Sequence, residues 1–178
     1  MNPLNWNWKW IPAAGLMLLL TVAAQAIGAG QIERIALATG EARLENAVKS
    51  AATGTTMQIL GAPRGVYIEG VGVVLTAEVN LATARISLMH PALSDTEKVE
   101  LHKEKLERLP ELKDALRQAL LIAPNDFPGL GPNEKIVIAL ILPRYSWENA
   151  QGLPMQITVQ STIQDLKTGG QQIKVSEL

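Results

Sequence analysis

The chain has 178 residues, 47% of them hydrophobic and 19% charged, with 16 Lys and Arg against 17 Asp and Glu. That apolar content argues against a disordered chain, and a formal net charge of −1 lacks the clustered basic excess of a nucleic-acid binder. With no cysteine there is no disulfide, thiolate nucleophile, zinc–thiolate or iron–sulfur site, and no lipid-modified N-terminal cysteine.

The first 26 residues read as a secretory signal peptide. Lys9 and the amino terminus supply a modest positive region, and Trp10 to Ala24 is almost wholly apolar and uncharged. Ala24-Gln25-Ala26 is a small-x-small cleavage site. The apolar run of about 15 residues falls short of the roughly 20 that span a bilayer as a helix. The alternative is an uncleaved anchor, in which Trp6, Trp8 and Trp10 would form an interfacial aromatic belt. On the first reading the mature protein starts near Ile27, is periplasmic or secreted, and meets a membrane only if the segment stays uncleaved. Residues 27–178 then form a single domain.

Leu44, Val48 and Ala52 recur at helical spacing and predict a helix over about Glu41 to Ala52, ended by Thr53-Gly54. Thr56 to Leu60 is a short strand candidate, and Gly65 to Asn80 a long β-rich run. Alternation over Arg85, Ser87 and Met89 predicts a partner strand, with Asn80 to Thr83 as the connecting turn. Ser94-Asp95-Thr96-Glu97 is a capping box that opens a helical region. Leu106, Leu109, Leu112, Leu116 and Leu120 make its apolar stripe, Glu104 and Arg108 are spaced as an ion pair, and Pro110 predicts a kinked helix or a helix pair over about 95–123. Lys135 to Leu142 is apolar without alternation, as in a strand buried on both faces. Met155, Ile157 and Val159 alternate with Gln156, Thr158, Gln160, Thr162 and Gln164, giving a strand with one wet face. Thr168-Gly169-Gly170 can turn it onto Gln172 to Val175. The order predicts an α+β fold: a mainly antiparallel sheet of about five to six strands, with the helices on one face.

Few residues carry chemistry. By strict alternation Glu69 shares an apolar face with Tyr67, Val71 and Val73, where burial would suit it to proton transfer; a bulge at Gly70 would reverse that parity. Gly70 and Gly72 lie two apart and admit a close backbone, helix or ligand, but the run lacks the rest of a dinucleotide fingerprint. His90 and His102, with Asp95, lack the spacing of helical metal ligands, and there is no Gly-x-Ser-x-Gly elbow. No metal site and no cofactor motif is read. Arg144, Tyr145 and Trp147 are the binding candidates, because these residue types are enriched at interface hot spots. The sequence thus points to an exported, non-catalytic binding or structural module with a protein partner in the cell envelope. A small exported hydrolase or metal-assisted enzyme using Glu69 with His90 or His102 is the alternative.

Overall fold

The structure, a computed structural model, describes residues 32–84 and 92–178. The signal-peptide reading of residues 1–26, the strand read over 85–89, and His90 lie outside the described residues.

The first helix, α1, spans Arg34–Ala51 and buries Leu37, Gly40, Leu44, Val48 and Ala51 along one face. It starts a full turn and more before the predicted Glu41, because Gly40 belongs inside it. A Cβ at Gly40 would lie 2.5 Å from Cζ of Phe127, so the missing side chain seats that ring against the helix. The helix ends as read, with Gly54 taking a φ of +73° just beyond it.

The long β-rich run is not one strand. It folds on itself as β2 (Arg64–Ile68) and β3 (Gly72–Asn80), preceded by the two-residue β1 (Gln58–Ile59). The reversal falls at Glu69-Gly70, where Val71 N–H donates to Ile68 O at 3.0 Å and Gly70 takes φ +73°. A left-handed residue at the third turn position is what a type II turn requires, and glycine supplies it without strain. Gly72 serves packing. A Cβ there would lie 2.0 Å from the Lys135 carbonyl oxygen of the neighbouring strand.

The helix α2 spans Asp95–Ile122 and opens with the predicted capping box: Ser94 Oγ accepts from Glu97 N–H at 3.3 Å, and Glu97 Oε2 accepts from Ser94 N–H at 2.7 Å. It runs through Pro110 as one helix and not as a pair. Leu109 and Leu112, buried on either side of the proline, hold it to the core across the interruption. Glu104 and Arg108 do not pair. Glu104 accepts from Thr56 Oγ1 at 3.0 Å, and Arg108 lies 3.8 Å from Glu111.

After a 3-10 turn at Ala123–Asn125 come β4 (Lys135–Ile141), β5 (Gln156–Thr162), the short helix α3 (Ile163–Lys167) and β6 (Lys174–Glu177). The sheet order is β1-β3-β4-β5-β6, with β2 also on β3. Among the described residues only β3 and β4 pair in parallel, through the α2 crossover; the other pairings are antiparallel. The fold is α+β, with a mixed, mostly antiparallel sheet. In β4 the side chains of Ile136, Ile138 and Leu140 are buried while Val137 and Ala139 are half-buried, so the expectation of two covered faces fails. The helices cover one side, and the outer apolar residues of β4 pack beside their strand neighbours, Val137 between Val74 and Gln160. In β5, Ile157 and Val159 are buried and Gln156, Thr158, Gln160 and Thr162 half-exposed, as alternation predicts; Met155, read on the same inward face, is exposed because it precedes the strand, and Gln164 falls in α3. The core lies between the inner sheet face and the two long helices, with Leu44, Val48, Leu112, Leu116 and Leu120 fully enclosed. Among the described residues no helix is long and apolar enough to cross a membrane.

Candidate functional site

The connection between β4 and β5 carries Arg144, Tyr145 and Trp147. Backbone hydrogen bonds set its shape. Glu148 N–H donates to Tyr145 O at 3.1 Å, Leu153 N–H to Ala150 O at 3.2 Å, and Leu142 N–H closes the base on Met155 O at 2.8 Å. Asn149 Oδ1 accepts from Gln151 N–H at 3.0 Å, the side-chain turn that asparagine favours. Leu153 is buried and anchors the far end.

Tyr145 and Trp147 alternate along this loop and stack on one another, ring centroids 5.5 Å apart and planes within 6°. They remain 61% and 40% exposed. A pair of large rings held parallel at the surface is an amphipathic contact area with little rotamer freedom left to lose on binding. Arg144 does not reach outward with them. Its guanidinium donates to the carbonyls of Leu153 at 3.3 Å and Ala150 at 3.4 Å, and so braces the loop.

Beneath the rings the loop is bound to α2 by charge. Lys105 Nζ donates to Glu148 Oε1 at 2.6 Å, and the two side chains are 4% and 5% exposed. Neither residue was singled out from the sequence, although the signal was present. Leu101, Lys105, Leu109 and Leu112 follow at spacings of four, four and three, so the lysine occupies a position on the buried stripe. A charge on that stripe requires a partner from elsewhere in the chain. His102 lies one turn of α2 from this pair and lines the same small void as Lys98, Trp147 and Glu148.

The other candidates separate. Glu69 sits exposed in the β2–β3 turn, not on an apolar face, because the chain reverses there. Its neighbour Tyr67 donates from its hydroxyl to Glu134 Oε1 at 2.8 Å, while Glu134 Oε2 accepts from Gly131 N–H at 2.6 Å. That bond to Glu134 is the largest influence holding the Tyr67 hydroxyl above its ordinary titration range; burial and the Glu134 and Glu69 charges add to it. Lys105 shares a crevice with Val79 and Leu81 at the far end of β3. Glu69 precedes the near end, and nine strand residues separate the two by roughly 25–30 Å. Glu69 and His102 therefore share no pocket. Asp95 is exposed and pairs with Lys98 at 3.0 Å. Among the described residues no group of three or more His, Asp or Glu is placed to hold a metal ion.

A wider cleft of about 390 Å³ opens where α2 meets the segment after α1, lined by Thr55, Thr56, Thr83, Glu97, Glu100 and Glu104. Its threonines are engaged within the fold: Thr83 N–H donates to Thr56 Oγ1 at 3.1 Å and Thr83 Oγ1 to Thr56 O at 2.9 Å. Comparison with protein-family models, with curated proteins and with solved structures finds no match to this chain.

Proposed function

We propose that the chain is an exported bacterial protein whose folded part is a non-catalytic binding module. In this reading the β4–β5 loop is the surface that meets a protein partner in the cell envelope. One observation carries the proposal: an exposed, mutually stacked Tyr145–Trp147 pair is mounted on a loop that is itself fixed to α2 by a buried ion pair. Two large rings with most of their conformational freedom already spent are suited to anchor an interface, and Glu148 adds no net charge because Lys105 neutralises it. The export part of the proposal rests on the signal-like character of residues 1–26.

The test is co-purification from the envelope fraction of the producing cell, wild type against Tyr145→Ala/Trp147→Ala. A protein retained by the wild type and lost by the variant supports the reading, and an identical retained set overturns it. The intact mass of the recovered protein addresses export: a chain beginning near Ile27 agrees with cleavage, and one that still carries residues 1–26 contradicts it.

A further inference from the structure

Two buried polar atoms without a hydrogen-bond partner among the described residues, His102 Nδ1 and Glu148 Oε2, belong to side chains that line one void between α2 and the β4–β5 loop. The void measures about 10 Å³ and is walled by Leu101, Leu153 and Trp147 on its apolar sides. We infer that a single ordered water occupies this void and joins the two atoms, so that Lys105, Glu148, the water and His102 form one hydrogen-bonded chain. His102 is thereby a positioning residue for the stacked rings.

Chemistry and size both lead there. A carboxylate oxygen only accepts, whereas an imidazole nitrogen donates or accepts according to its tautomer, and water satisfies the pair in either case. A volume of about 10 Å³ is near the least that admits one water, and it excludes an organic ligand. Left dry, the site would keep an unsolvated acceptor beside an unsolvated nitrogen, which folded proteins rarely tolerate. The charged groups facing His102 across this void are Lys98 and Lys105 from α2 and Glu148 from the loop. Lys98 turns to Asp95 and Lys105 to Glu148 Oε1, which leaves Glu148 Oε2 for the water.

The water gives the loop a second attachment to α2 beside the ion pair, so a partner docking on the rings meets a surface already ordered. This purpose rests on the proposed function, but the water does not. It is read on the protein alone, and a failed search for partners would leave it standing.

A crystal structure at a resolution that shows ordered solvent tests the inference directly. One water within hydrogen-bond distance of both His102 Nδ1 and Glu148 Oε2 supports it; an empty void, or side chains closed into direct contact, overturns it. Hydrogen exchange gives an independent reading through the Glu148 and Leu153 amides, whose bonds shape the loop. His102→Leu is expected to lower their protection about tenfold, the equivalent of one hydrogen bond, while His102→Gln, which can still bond a water, restores it. The Ile138 amide at the centre of β4 should be unchanged in both variants. Equal loop protection in all three proteins, or a glutamine variant no better than the leucine one, contradicts the bridge.

Discussion

Lys105 Nζ lies 2.6 Å from Glu148 Oε1, joining the middle of a long helix to a loop 43 residues later with both side chains almost fully enclosed. An enclosed ion pair forfeits the hydration of both ions, so its value is in where it fixes the loop more than in stability. Removing one partner strands the other. Lys105→Met or Glu148→Leu is expected to lower unfolding stability by about 3–5 kcal/mol, and Lys105→Met/Glu148→Leu together by much less or not at all. Urea denaturation of the two single variants and the double variant checks this. Additive losses would mean that the pair does not act as a unit.

The rings above the pair are a different matter. Tyr145 and Trp147 are exposed and stack on each other, so Tyr145→Ala/Trp147→Ala is expected to lower global stability by about 2 kcal/mol or less, below the loss of an enclosed core leucine, while removing the main anchors of the proposed interface. Thermal unfolding of the variant checks the first half of this expectation. A loss comparable to that of a core leucine would make the rings part of the core.

Acid sensitivity has a source where α1 meets β2. Glu41 on α1 accepts from the Arg34 guanidinium at 2.8 and 3.0 Å and from Gly65 N–H on β2 at 2.8 Å. The Arg34 hydrogen bonds, foremost, then the Gly65 N–H and the Arg34 and Arg64 charges hold its carboxyl below the ordinary value of 4.5, against the opposing effect of burial. A carboxyl lowered in the folded state contributes stability that is fully present above 4.5 and is lost as pH falls through its folded value. Glu41→Gln should therefore be less stable than wild type at neutral pH, with the difference narrowing on acidification below 4.5. Chemical denaturation at a series of pH values reads this directly; a constant gap would contradict it.

Gly72 offers the sharpest test of the sheet. It takes φ +122° and meets the Lys135 backbone where a Cβ would have to go. Gly72→Ala is expected to cost about 4 kcal/mol or more, because the β3–β4 pairing must shift to admit the methyl group. Gly54 also has a positive φ but faces open space, so Gly54→Ala carries the backbone strain alone and should cost less.

The fold class was legible because its main signals are local. The Ser94 capping box, the Leu109–Leu120 stripe and the alternation over Gln156 to Thr162 each lie within one element, and each is found where the sequence places it. The β2–β3 reversal was missed because Glu69-Gly70 lies inside a run rich in β-branched residues that reads as one strand. The break was visible only as glycine spacing, and the misplaced parity of Glu69 followed from it. The two-sided burial read for β4 failed because an apolar strand can be surrounded by its neighbours in the sheet without a second layer of helices. At the candidate site, the aromatic and arginine composition of the loop was readable, while its attachment was not. Lys105 and Glu148 stand 43 positions apart, and only the fold reveals that the lysine on the buried stripe and the glutamate beside the tryptophan are partners.

In the proposed function the stacked rings are where this protein meets another. Placing the photo-crosslinking residue p-benzoylphenylalanine at Trp147, and separately at Thr158 on the outer face of the sheet, tests it in the producing cell. A discrete crosslinked product is expected from position 147 and none of the same mass from position 158. No product from position 147, or the same product from both positions, would contradict it.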